Sequence, residues 1–161
     1  MIYLKYFLFA ILSLVANIFA WLLCPFMAAL SVITNKDTSP WPLSLLHTAD
    51  DTLDGGQHQE GWPKVKGWKL FLQRMRWIAR NPAGGADNLM GIPRGPETQI
   101  IVVTDKSAVH HKGFKQVHKL IYKGQTYFSY RTNFVWFGWN PYGPRADTHI
   151  FKFSLRTDLE E

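Results

Sequence analysis

The sequence predicts an α+β protein with an N-terminal transmembrane helix, an amphipathic interfacial helix and a small antiparallel β-meander. Residues 6–35 contain no charged side chain, and a Trp-rich segment at 64–80 repeats its apolar residues with helical spacing. After residue 96 the apolar period changes to two. We expect four regions: a membrane anchor at 1–35, an irregular linker with an Asp-rich turn at 36–63, a basic amphipathic helix at 64–82 and a β-rich domain at 83–161.

The charge-free run is long enough to cross a bilayer. Thirty helical residues extend about 45 Å, whereas the hydrocarbon core is about 30 Å thick. A cleaved signal peptide has an apolar core of about 7–15 residues, so an uncleaved anchor is favoured. Pro25 is expected to end a helix over Leu4–Cys24, leaving 25–33 as a short interfacial helix or part of a re-entrant segment. The side chains expected to anchor the chain in the membrane are Phe7, Leu8, Ile11, Leu14, Val15, Ile18, Phe19, Trp21 and Leu22.

The polar residue in the middle of this run, Asn17, allows two interpretations. It bonds to its own helix, or it makes a contact between helices. Orientation is weakly encoded, because Lys5 and Lys36 flank the run equally. The basic residues at 64–80 lie beyond it and favour a cytoplasmic C-terminal domain.

The linker contains three carboxylates in five residues. The calcium-loop pattern is matched by Asp50, Thr52, Asp54 and Gly55, but Gly61 stands where that loop needs its last glutamate, and Glu60 comes one place early. We therefore interpret the segment as a turn whose side chains cap backbone groups. Its residues are Asp50, Asp51, Asp54 and Gly55. We expect no bound metal and no cofactor.

The segment 64–80 is the clearest amphipathic helix of the sequence. One side carries Trp68, Phe71, Leu72, Met75, Ile78 and Ala79, and the other carries Lys69, Gln73, Arg76 and Arg80. Such a helix lies in the membrane interface or packs on the domain's own sheet, and both interpretations stay open. The residues expected at the membrane surface are Lys64, Lys66, Trp68, Lys69, Arg74, Arg76, Trp77 and Arg80.

The last 80 residues predict strands. We expect strands at 99–104, 114–123, 125–134 and 149–155, with Lys123-Gly124 as a hairpin turn. The Gly- and Pro-rich segment 83–96 is expected to be a loop. These strands predict a meander of four or five members.

Two short motifs accompany this order of elements: T-A-D-D-T-L-D-G at 48–55 and R-N-P-A at 80–83. With Trp41 before the first and Gly61-Trp62 after it, the chain resembles a family of short, uncharacterised, membrane-associated proteins of tailed bacteriophages. The family's aromatic residue after R-N-P-A is replaced here by Gly84-Gly85. The resemblance implies a phage origin and supplies no activity.

Catalytic and metal-binding patterns are weak. The single cysteine, Cys24, excludes an intrachain disulfide and a multi-cysteine metal site. His110, His111, His118 and His149 are metal candidates, but adjacent histidines in a strand point to opposite faces. No serine lies in a nucleophile motif. We therefore expect a protein that is not an enzyme.

The net charge of +6 favours partners that carry phosphate. Lysines near tyrosines at 112–131 could hold single-stranded nucleic acid, but a membrane anchor favours anionic lipid for the same charges. We expect a phage accessory protein in the host inner membrane that binds an unidentified host or phage protein. The alternatives are a membrane-tethered, metal-dependent hydrolase or nuclease and a structural component of the virion.

Overall fold

The computed structural model describes residues 2–48, 52–53, 64–106, 115–132, 134–141 and 147–155, and it has the predicted α+β class. The chain divides into two compact units, residues 1–14 with 87–161 (unit 1) and residues 15–86 (unit 2). The helices are α1 (Ile2–Ile33), a 3₁₀ turn (Leu43–Leu45), α2 (Gly67–Arg80) and α3 (Gly84–Leu89). The strands are β1 (Ile92–Pro93), β2 (Thr98–Lys106), β3 (Lys115–Tyr122), β4 (Gln125–Thr132), β5 (Val135–Trp139), β6 (Thr148–His149) and β7 (Phe151–Leu155).

The main sheet of unit 1 is an antiparallel meander of five strands in the order β2-β3-β4-β5-β7, as predicted. A second, two-stranded sheet pairs β1 with β6. The predicted hairpin between β3 and β4 is confirmed, because Lys123 and Gly124 form its turn with φ of 48° and 72°. Two successive residues with positive φ are what a two-residue type I′ turn requires.

The core of unit 1 is built around the fully buried Trp139. Its ring makes edge contacts with Tyr6, Tyr127 and Phe151 at centroid distances of 4.9, 4.8 and 4.7 Å. The indole Nε1–H donates to the carbonyl oxygen of Met90 at 3.0 Å, so the polar atom of this buried ring is satisfied. The first turns of α1, which carry Tyr6, thus belong to this core.

Unit 2 has its own core, in which Met27 and Ala28 of α1 pack with Leu53 and with Ile78 of α2. Cys24 also belongs to this cluster. The C-terminus of α1 ends in a Schellman motif, with Asn35 at φ 51° and the Lys36 amide donating to the Ser31 carbonyl at 3.0 Å.

The predicted break at Pro25 is wrong, because α1 continues as one helix to Ile33. Proline lacks the N–H that would bond the carbonyl four residues earlier, here that of Trp21. The Cys24 thiol donates to this carbonyl at 3.2 Å and replaces the missing donor. The separate interfacial helix predicted for 25–33 is therefore the last part of α1.

The other boundary predictions also need correction. Helix α2 begins at Gly67 rather than Lys64, because Lys66 is extended, with φ −132° and ψ 166°. The predicted loop 83–96 contains α3 and β1. Glycine is needed at the start of α3, because a Cβ on Gly85 would lie 2.1 Å from the Ser44 carbonyl oxygen. That close contact gives a physical reason for glycine beside the R-N-P-A motif.

Candidate membrane-facing surface

The buried positions of α1 recur every three or four residues, so they follow one line along the helix. We call this line the inward stripe. Three of its seven residues are polar. Its members are Ser13, Asn17, Ala20, Cys24, Met27, Ala28 and Ser31.

A second set of α1 side chains is large, apolar and exposed, and we call it the outward face. Within the described part of α1 it contains fourteen large side chains and no charged group. Its members are Tyr3, Leu4, Phe7, Leu8, Ile11, Leu12, Leu14, Val15, Ile18, Phe19, Trp21, Leu22, Phe26 and Ile33.

All nine side chains predicted to anchor the chain belong to the outward face. Leu22 and Phe7 are exposed by 70% and 62%, respectively. A soluble protein normally has the opposite arrangement, with apolar residues inside and polar residues outside. A contiguous set of exposed apolar side chains is typical of a surface that binds a partner or a membrane. The outward face is therefore expected to be covered by a protein partner or by an apolar solvent such as lipid.

In unit 1 the inward stripe is fixed by a buried polar cluster around Ser13. Its hydroxyl donates to Asp87 Oδ1 at 2.7 Å and accepts from the Phe153 backbone N–H at 3.0 Å. The second carboxylate oxygen, Oδ2, pairs with Lys152 Nζ at 3.0 Å. Burial raises the pKa of Asp87, while Lys152 and the Ser13 hydrogen bond act in the opposite direction. We call this arrangement the Ser13 cluster.

The start of α1 is held by further contacts within unit 1. Tyr6 Oη accepts a 2.5 Å hydrogen bond from the Phe128 backbone N–H of β4. The Lys5 ammonium lies 5.2 Å from the ring centre of Tyr127 and 5.4 Å from that of Phe9, within range of cation–π attraction. The polar groups of Lys5 and Tyr6 therefore point at the protein.

In unit 2 two residues join α1 to α2. Trp21 Nε1–H donates to the Ala79 carbonyl oxygen at 2.9 Å. Arg74 Nη1 donates to Ser31 Oγ at 3.1 Å and to the Lys36 carbonyl oxygen at 2.9 Å. A guanidinium at this position satisfies the end of α1 and complements the negative end of its dipole.

Of the eight residues predicted to lie at the membrane surface, two are buried and six are exposed in the structure. Arg74 and Trp77 are buried, which removes them from any surface set, and Arg74 instead bonds the C-terminal end of α1. The apolar side of α2 is also rotated from the prediction, since Trp68 is 69% exposed. Six of the eight residues stay exposed: Lys64, Lys66, Trp68, Lys69, Arg76 and Arg80.

Several residues of the predicted Asp-rich turn and of the histidine metal candidates lie outside the described residues. These are Asp50, Asp51, Asp54, Gly55, His110 and His111. The described part of the chain contains no group of three or more His, Cys, Asp or Glu side chains able to hold a metal. His118 and His149 are buried, and burial lowers the pKa of both imidazoles.

The Ser13 cluster was not predicted from the sequence, although part of its signal was visible. Ser13, Asn17 and Ser31 are spaced by four and fourteen residues, which places them on one side of a helix. Their partners could not be found in this way, because Asp87 and Lys152 lie more than 70 positions further along the chain.

Comparison with known proteins gives a family and no activity. The chain matches no curated protein and no solved structure. Its residues 1–155 match a family described as of unknown function. The match includes α1, both helices that follow it and every strand described above. The chain therefore belongs to DUF7338, a family of unknown function.

Proposed function

We propose that this protein is a non-enzymatic accessory protein that binds a membrane through the outward face of α1. The observation that supports this proposal is the reversed polarity of α1, in which Ser13 and Ser31 bond buried protein groups while fourteen large apolar side chains are exposed. Membrane helices that pack on protein use small and polar residues for the protein contact in this way. Lipid then covers the apolar remainder.

Lipid suits the outward face better than a protein partner does. Protein–protein interfaces combine an apolar centre with a polar rim, whereas this face is apolar from Tyr3 to Ile33. The helix over Tyr3–Ile33 is also long and apolar enough to cross a membrane. Exposed basic residues of α2, such as Lys69, Arg76 and Arg80, would add attraction to anionic headgroups.

We propose that α1 lies along the membrane surface rather than across the bilayer. In unit 1, Tyr6 and Ser13 are bonded to the main sheet, which carries exposed charges such as Asp105 and Lys115. A sheet with charged strands and an open edge is not tolerated in hydrocarbon. The first turns of α1 therefore cannot be surrounded by lipid while unit 1 is folded. An in-plane helix keeps these contacts and still buries its outward face.

The proposed biological setting rests on the resemblance to the phage family and on the excess of basic residues in the chain. The two motifs at 48–55 and 80–83 support a tailed phage as the source. The host inner membrane would then be the membrane, and the β-rich region would lie in the cytoplasm, where basic residues are enriched. At that surface the protein would bind a host or phage protein.

Flotation of the full-length protein with liposomes tests the membrane claim. We expect it to float with anionic vesicles, and to do so far less when Phe7 and Leu22 are both replaced by Asp. A matched control is Leu89→Asp, since Leu89 is 76% exposed and lies outside α1. Wild-type protein that stays at the bottom of the gradient would refute the proposal.

Labelling from the two sides of the membrane distinguishes an in-plane helix from a crossing one. Single cysteines replace Tyr3 or Thr34, at opposite ends of α1, in a Cys24→Ser background. An impermeant maleimide should react with both from the cytoplasmic side only. Reaction of the two cysteines from opposite sides would show that α1 crosses the bilayer.

A further inference from the structure

Strands β3 and β4 present an exposed face on which basic and aromatic side chains are interleaved. In their register Lys119 lies opposite Phe128, and Val117 lies opposite Tyr130. Paired residues of neighbouring strands point to the same side of a sheet, so Phe128 and Tyr130 share this side with Lys119. The two rings are exposed by 45% and 38%. We call this surface the Lys119 face, and its members are Ile101, Lys115, Lys119, Thr126, Phe128 and Tyr130.

The other side of the same two strands lies inside the protein. The residues that alternate with the Lys119 face at the centre of β3 and β4 are all buried: His118, Leu120, Tyr127 and Ser129. Asp105 of β2 is paired with Gln116, which places its carboxylate on this other side. Within the described residues of β2, β3 and β4, the Lys119 face therefore carries lysines and no carboxylate. Its charge is complementary to phosphate.

Each lysine of the Lys119 face lies beside an aromatic ring. Lys119 Nζ is 5.9 Å from the ring centre of Phe128, and Lys115 Nζ is 5.8 Å from that of Tyr130. The two rings stand two residues apart on one strand, which separates them by about 7 Å. A strand of nucleic acid offers the matching groups, because every nucleotide carries one flat base and one phosphate.

We propose that the Lys119 face binds single-stranded nucleic acid. Phe128 and Tyr130 each stack on a base, while Lys115 and Lys119 contact the phosphates. Common RNA-binding modules use an antiparallel sheet in this way, with strand aromatics that stack two or three bases. This activity goes beyond membrane binding and does not depend on it.

A membrane surface fits the Lys119 face less well than a nucleic-acid strand does. Protein surfaces that enter lipid keep their charges apart from the inserted apolar side. Lys119 instead stands in the middle, between Ile101 of β2 and Phe128 of β4, and an ammonium inside hydrocarbon is unfavourable. Gln99 and Thr126 add exposed polar groups on the same side. Charge alone favoured lipid for these lysines, and the register of the strands reverses that preference.

Fluorescence anisotropy with labelled oligonucleotides tests the proposal on the full-length protein in detergent. The probes are oligothymidylate and oligouridylate of about 16 nucleotides and a DNA duplex of the same length. We expect at least one single strand to bind more tightly than the duplex, and the tighter of the two identifies DNA or RNA as the ligand. A duplex that binds as tightly as both single strands would overturn the proposal, because charge alone would then explain the affinity.

Variants of the two rings locate the site. Phe128→Ala and Tyr130→Ala should each weaken single-strand binding by at least about fivefold, because a stacked base is lost. Phe128→Trp keeps a ring and should retain the affinity, which separates stacking from a loss of fold. The matched control Trp68→Ala removes a ring that is 69% exposed among the basic residues of α2, and it should bind as the wild type does. Equal affinities of Phe128→Ala and wild type would overturn the proposal.

The salt dependence tests the lysines. Lys119→Gln should reduce the slope of log affinity against log salt concentration by about 0.7, the value for one phosphate contact of a single strand. Lys69→Gln, at an exposed lysine of α2, should leave the slope unchanged. A reduced slope for Lys69→Gln with none for Lys119→Gln would place the nucleic acid on α2 and overturn the proposal.

Liposome flotation separates this proposal from membrane binding. The double variant Phe128→Ala, Tyr130→Ala should float with anionic vesicles as the wild type does, while its affinity for the single strand falls. A variant that no longer floats but still binds the oligonucleotide would assign the Lys119 face to the membrane and overturn the proposal.

Discussion

The two edges of the main sheet differ in how they are closed. At β7, the backbone N–H of Phe153 donates to Ser13, and the neighbouring Lys152 and Ser154 are buried. At β2, the side chains from Ile100 to Val103 are exposed and the described strand has one neighbour. Ser13, a polar residue of the apolar helix α1, thus covers part of the β7 edge. The contrast shows that Ser13 of α1 protects the β7 edge, while no comparable contact covers the β2 edge among the described residues.

The largest expected effect comes from breaking the protected edge at Lys152. Lys152→Met leaves the Asp87 carboxylate buried without its cation, which should lower the free energy of unfolding by about 3–5 kcal/mol. Denaturant unfolding of the full chain in detergent measures this loss. The double variant Asp87→Leu, Lys152→Met removes both charges and should recover most of it. A single variant as stable as wild type would show that the pair is not essential to this edge.

Ser13→Ala should have the next largest effect. It removes one partner from Asp87 and a partner from the Phe153 amide, and the loss of a partner by a buried polar group costs about 1–3 kcal/mol. Hydrogen exchange should accelerate at Phe153 more than at amides of β3. Equal protection of the Phe153 amide in variant and wild type would contradict the role assigned to Ser13.

Acidification should weaken the half of the sheet next to the open edge. His118 of β3 pairs with Val102, and burial lowers its pKa, partly offset by Asp105. Below about pH 6.5 the unfolded chain binds a proton that the folded chain does not, so stability falls as pH falls. Each unit of pKa difference corresponds to about 1.4 kcal/mol. His118→Gln should flatten the decline between pH 7 and 5, leaving the part due to His149.

The smallest effect is expected for a conservative change at the open edge. Val103→Thr alters a half-exposed side chain that lacks a β3 partner, and the free energy of unfolding should change by less than about 0.5 kcal/mol. Denaturant unfolding measures it beside Ser13→Ala. A loss comparable to that of Ser13→Ala would mean that both edges contribute equally to stability.

Local patterns were sufficient for much of the fold. The alternating residues of β4 and the Lys123-Gly124 turn predicted the hairpin correctly, because strand period and turn chemistry are local properties. The outward face of α1 was also predictable, since nine of its residues follow from hydrophobicity alone. Asn17 stood out as a polar residue of the run, but Ser13 and Ser31 were hidden by its mean apolar character.

The remaining features depend on residues far apart in the chain. Arg74 has the spacing of a surface residue, yet it is buried because the end of α1 offers it two acceptors. Neither the Ser13 cluster nor this contact has a periodic signature, because each joins segments separated by tens of residues. The predicted interruption at Pro25 failed for a different reason, since a single side chain replaced the lost donor.

The contact between Cys24 and the Trp21 carbonyl has a consequence for sequence variation in the family. An unsatisfied carbonyl is more unfavourable next to lipid than next to water, so a proline at position 25 and a donor at position 24 are coupled. Relatives that keep the proline are expected to carry Cys, Ser or Thr before it. Relatives with another residue at 25 are free to vary at 24. If positions 24 and 25 vary together in an alignment of the family, that covariation would indicate that the Trp21 carbonyl faces lipid rather than water.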